Sequence, residues 1–115
     1  MVKLLTIAGL GPGDSNMVTP NVQEAISSAT DIVGYIPYVA RIPPRDGLVL
    51  HPSDNRVEIE RAELALDLAA SGKKVLIVSS GDPGVFAMAA AVFEILDKNP
   101  SRWADVEVQI LPGIT

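Results

Sequence analysis

The chain has 115 residues, 48% of them hydrophobic and 20% charged, with no cysteine and a formal net charge of −5. So large an apolar fraction belongs to a folding chain, and the length suits one domain with a core of its own. The missing cysteine removes disulfides, thiolate metal sites and a cysteine nucleophile, and the acidic balance argues against nucleic acid, whose phosphates call for a basic face.

Residues 4–8 (LLTIA) are an apolar run closed by Gly9, Gly11, Pro12 and Gly13, the pattern of a strand buried on both faces. Thr19 offers an N-cap hydroxyl and Pro20 suits a first helical position, so a helix is predicted to about Ala29. Residues 31–35 (DIVGY) predict a second strand. From 36 to 52 the prolines at 37, 43, 44 and 52 and Gly47 break any period, and only Leu48, Val49 and Leu50 suggest a third strand. Asn55 then caps a helix with Glu58 reaching back in a capping box; Ile59, Ala62, Ala65, Leu66 and Ala69 form its apolar stripe and Gly72 ends it. Residues 75–78 (VLIV) are the clearest buried strand, followed by the loop SSGDPG at 79–84 and a helix over about 85–98. Residues 106–110 alternate apolar and polar, a last strand with one wetter face, and lead into LPGIT at 111–115.

No apolar run approaches the roughly 20 residues that cross a bilayer. The amino terminus lacks a signal-peptide cleavage pattern, so a cytoplasmic protein without a membrane partner is expected. Alternating strands and helices predict an α/β fold: a five-stranded, mainly parallel sheet with helices on both faces. In such a sheet the loops GLGPGD, SSGDPG and LPGIT share the carboxyl edge, where ligands of open α/β sheets bind.

The loop at 9–14 fails as a dinucleotide fingerprint, because Asp14 stands where the third small residue belongs and would repel a pyrophosphate. A Walker A lysine is also absent. Two readings stay open for it: a plain turn with Asp14 capping the next segment, or a backbone that admits a ligand closely with an acid at its tip. In the second loop Asp82 either caps the next helix or pairs with a cationic group on a ligand. The lone His51 reads as a surface or loop residue, and without a second histidine no histidine metal cluster forms. Arg41, Arg45 and Arg56 read as solvated charges that could also meet substrate carboxylates. Tyr35 and Tyr38 read as core and rim.

Taken together, GLGPGD at 9–14, SSGDPGVFAMA at 79–89 and LPGIT at 111–115 resemble the amino-terminal domain of the tetrapyrrole (corrin and porphyrin) methyltransferases. The stretches at 31–39, 60–75 and 78–96 look most like the members that methylate C17 of precorrin-3B in cobalamin biosynthesis, with ring contraction to precorrin-4. The resemblance implies S-adenosyl-L-methionine as cofactor, held at Pro12, Ser80, Gly81, Asp82, Val85, Phe86 and Thr115. It places Gly11, Gly13, Asp14, Tyr35 and Arg41 toward the tetrapyrrole, with Asp14 as the acid/base candidate. It also implies a second α/β domain beyond these 115 residues and a homodimer. Other family members, acting elsewhere on the corrin ring or on uroporphyrinogen III, a fragment inactive by itself, and a nucleotide-binding α/β domain are the alternatives.

Overall fold

The computed structural model describes residues 3–11, 18–54 and 57–112. In chain order they form β1 (Lys3–Gly9), α1 (Pro20–Ser28), β2 (Asp31–Tyr35), α2 (Ile36–Val39), β3 (Val49–Ser53), α3 (Glu58–Ala70), β4 (Val75–Ser79), α4 (Asp82–Lys98) and β5 (Val106–Leu111). The five strands pair in the order β3-β2-β4-β1-β5, every pair parallel. β4 pairs with both β1 and β2 and is buried along its whole length, as its unbroken VLIV run requires.

The strand order dictates where the helices lie. From β1 the chain moves over β4 to β2 and then to β3; from β3 it returns to β4 and continues over β1 to β5. Right-handed crossovers in opposite directions put the connecting helices on opposite faces. Leu5, Ile7, Val33 and Ile77 accordingly pack with α3 and α4 through Ala62, Leu66, Val85 and Val92. On the other face Ala8, Ile32, Leu76 and Val78 pack with Val22 of α1 and Val39 of α2.

Local chemistry accounts for the ends of the elements. Thr19 caps α1 as expected, its hydroxyl accepting from the Val22 amide at 3.4 Å with Pro20 in the first turn. Gly72 follows α3 with φ +99°, a left-handed conformation that glycine adopts without Cβ strain. β5 alternates partly buried and exposed residues along most of its length and is an edge strand.

Some expectations are corrected. The proline-rich middle holds a short helix, α2, because Pro37 falls in its first turn, where no amide donor is needed. The third strand runs later than Leu48–Leu50 suggested and includes His51, which is therefore a strand residue; its Nε2 lies 2.8 Å from Oδ2 of the buried Asp31. α3 starts at Glu58 with Val57 as its N-cap and no side-chain cap, while Asn55 of the expected capping box lies outside the described residues. The Asp54 carbonyl instead turns the chain, accepting from the Val57 amide at 3.4 Å and from Arg61 Nη2 at 2.6 Å. Among the described residues no helix is long and apolar enough to cross a membrane.

Candidate functional site at the carboxyl edge of the sheet

β1 and β4 are neighbours whose following connections leave in opposite directions, which opens a crevice outside their carboxyl ends. The register sets Gly9 beside Ser79, and the Leu10 amide donates to the Ser79 carbonyl at 2.7 Å, so the two loops start side by side. Gly11 then turns with φ +80°. Arg41 holds that turn from below, its Nη1 donating to the Gly11 carbonyl at 2.8 Å and Nη2 to the Leu10 carbonyl at 3.4 Å. Arg45 acts similarly on the end of α1, donating to the carbonyls of Ala29 at 2.6 Å and Ser27 at 3.1 Å. Both residues are exposed, as expected of solvated charges, and their guanidinium groups also bind backbone carbonyls.

On the β4 side, Gly81 is the extended N-cap of α4, so Asp82 is the first helical residue and not the cap. The helix starts at Asp82, ahead of the expected Val85, because Pro83 is tolerated in a first turn and Gly84 lets that turn close on the strand. A Cβ on Gly84 would overlap the Ser79 hydroxyl. Asp82 Oδ1 is shielded from solvent yet has no hydrogen-bond partner among the described residues. A buried carboxylate oxygen without a donor costs free energy unless a ligand or cation supplies one.

The remaining candidates divide between core and rim. Val85 is fully buried and its amide makes the first helical hydrogen bond to the Gly81 carbonyl, whereas Phe86 is 56% exposed. Tyr35, the last residue of β2, is half-buried with its ring edge-on to Tyr38, centroids 5.3 Å apart. Pro12, Gly13, Asp14, Arg56 and Thr115 lie outside the described residues.

Sequence reasoning missed Arg61. It is only 5% exposed, on the core side of α3, and lines a small cleft of about 70 Å³ with Tyr35, Tyr38, Glu58, Ser79 and Gly84. Its Nε donates to Ser53 Oγ at 3.0 Å and Nη2 to the Asp54 carbonyl; Nη1 meets Met88 Sδ at 3.7 Å. Burial lowers its pKa, opposed by the negative charges of Glu58 and Asp54. A guanidinium starts high enough that it remains charged there at neutral pH.

Comparison with known proteins fits this edge to one family. The profile described as Tetrapyrrole (Corrin/Porphyrin) Methylases matches residues 4–115. The chain belongs to that family. A precorrin-3B C(17)-methyltransferase from Sinorhizobium sp is 49% identical over 115 residues, which is 100% of this chain and 45% of the relative. A probable cobalt-factor III C(17)-methyltransferase of Salmonella typhimurium is 38% identical over 97% of the chain and 46% of its own length. The crystal structure of the methyltransferase CobJ superposes with a TM-score of 0.91 at 63% identity, covering 97% of this chain and 46% of that one. The chain thus spans a little under half the length of these relatives. The family assignment expected from the three loops and the parallel α/β fold are both borne out.

Proposed function

We propose that this chain is the amino-terminal, cofactor-holding part of an S-adenosyl-L-methionine-dependent C-methyltransferase that acts at C17 of precorrin-3B, with ring contraction to precorrin-4. The observation that carries the cofactor is Asp82 Oδ1 beside the β1/β4 crevice, a shielded carboxylate oxygen without a donor among the described residues. The substrate rests on the precorrin-3B relative, the more similar of the two C17 enzymes compared.

The residues present fit a cationic, phosphate-free ligand. Asp82 would repel a pyrophosphate but faces an ammonium or sulfonium favourably. Among the described residues a Cβ on Gly81 would meet only Pro83 Cδ, at an ordinary contact distance of 3.8 Å, so the backbone there is lightly covered and a ligand can approach it. Bound there, S-adenosylmethionine supplies an electrophilic methyl group. The chain's own task is alignment and exclusion of water, since transfer to an electron-rich carbon needs an in-line approach and no covalent nucleophile. The buried Val85 and the Ser79–Gly84 contact hold the loop on a rigid strand-helix junction. Pro12 and Thr115 complete the cofactor loops in this reading, with Phe86 at the open rim. Gly11, Gly13 and Tyr35 face the macrocycle, Arg41 supports the first loop, and Asp14 moves the protons of ring contraction. The reading includes a second α/β domain, a homodimer and a cytoplasmic place.

Calorimetric titration of S-adenosylhomocysteine into the protein at the length of its relatives tests this. Binding is expected, weakened about 10- to 100-fold in Asp82→Asn, the range of a charge-assisted hydrogen bond. Binding of NAD in its place would overturn the proposal.

A further inference from the structure

Arg61 stands at the sheet edge with chemistry that the cofactor reading leaves unused. A charge withdrawn from water carries a desolvation cost of several kcal/mol, normally offset by a buried counter-ion. Here none is present: among the described residues no carboxylate comes within 4.0 Å of the guanidinium, and Glu58, which lines the same cleft, stays beyond that limit. Its three protein partners are a hydroxyl, a carbonyl and a thioether, all uncharged. A guanidinium has five N–H donors, so donor capacity remains. The thioether at 3.7 Å is a weak acceptor that an incoming oxygen would outcompete.

The cleft beside it sits where such an oxygen would arrive. It opens among the carboxyl ends of β2 and β4 and the first turns of α3 and α4, and Ser79, at the start of the cofactor loop, lines it. Its volume of about 70 Å³ is well above the roughly 10–15 Å³ that a single water requires, so a small polar group such as a carboxylate has room to enter. Tyr35 and Tyr38 add apolar ring surface and phenolic hydroxyls on the wall.

We propose that Arg61 is a substrate anchor, receiving one carboxylate of the tetrapyrrole's acidic side chains in the cleft bounded by Tyr35, Tyr38 and Ser79. The inference rests on the methyltransferase reading and adds to it the residue that meets the substrate's negative charge. It replaces Arg45, whose guanidinium is engaged with the end of α1, as the local answer to how an acidic protein holds a polycarboxylate. Pairing this guanidinium with a carboxylate gives the substrate a fixed orientation, because its planar N–H donors can meet both carboxylate oxygens.

The test uses the protein at the length of its relatives, with uroporphyrin as a stable polycarboxylate probe, its octamethyl ester as the uncharged control, and S-adenosylhomocysteine as an independent readout. Arg61→Met is expected to weaken uroporphyrin binding at least tenfold and leave both ester binding and S-adenosylhomocysteine affinity unchanged, with Arg61→Lys intermediate. Unchanged uroporphyrin affinity in Arg61→Met overturns the inference, as does an equal loss for ester and acid, which marks a structural role. If Arg61→Met does not fold, the Nε–Hε resonance of Arg61 in the unmodified protein decides: a shift on adding uroporphyrin supports the anchor, and a resonance unmoved at saturation overturns it. A protein that binds neither S-adenosylhomocysteine nor uroporphyrin overturns the methyltransferase reading itself, and this inference with it.

Discussion

Asp82 and Gly34 show how differently single residues constrain this edge. Asp82 carries a shielded oxygen with no partner among the described residues, so its removal costs little in the fold. Only the favourable helix-dipole term of about 0.3–1 kcal/mol is lost in Asp82→Ala, partly offset by relief of the unpaired group. Urea denaturation should therefore show a change within about 1 kcal/mol while cofactor affinity falls by a factor of ten or more. Gly34 is the opposite case. A Cβ there would sit 3.0 Å from both the Val78 carbonyl and Val78 Cγ2, and 3.2 Å from Val39 Cγ2. Because one of these neighbours is the backbone of the central strand, Gly34→Ala should destabilise by about 1–3 kcal/mol, measured as a lowered urea midpoint. Arg61 is legible in principle: position 61 lies four residues before Ala65 on the apolar stripe of α3, and a charge on that stripe is a signal. The signal is weak because a long side chain at such a position usually snorkels to water. What the sequence does not reveal is that the turn at Asp54 and the first turns of α4 enclose it.

At the scale of elements, strands are more legible than helix starts. A buried parallel strand announces itself as a continuous apolar run, as in β1, β2 and β4, and the structure extends these expectations by at most a residue at either end. Helix starts depend on which of several polar residues wins the cap. At α4 the competition among Ser80, Gly81 and Asp82 is decided by the close approach of Gly84 to Ser79, a tertiary contact. At α2 a four-residue helix is too short to show a period. Trp103, in the connection from α4 to β5, is a clear case of tertiary anchoring. It is 2% exposed in the α3/α4 core, donates its indole N–H to Asp67 Oδ1 at 2.9 Å, and carries the Arg102 guanidinium 4.3 Å above its ring. Trp103→Ala should cost about 3–5 kcal/mol, read as a loss in thermal or urea stability. Asp67→Ala should cost less, about 1–3 kcal/mol, the penalty of an indole donor left without its acceptor.

For the whole molecule, composition and architecture meet in the question of charge. A chain of net charge −5 does not draw an anionic substrate by its overall field, so recognition has to be local. The parallel order β3-β2-β4-β1-β5 provides the place, because it brings the ends of β1 and β4 together at the crevice and the ends of β2 and β4 together at the Arg61 cleft. The three loops that carry the family resemblance thus make the site's location legible, although parts of the first and third loops lie outside the described residues. Since the relatives are about twice as long, the central claim is tested in a protein of their length. The most direct measurement supplies that protein with S-adenosylmethionine carrying a ¹³C methyl group and with precorrin-3B, and locates the label by NMR. The account predicts ¹³C at C17 of a ring-contracted product; label at another ring carbon, or none in the tetrapyrrole, would contradict it.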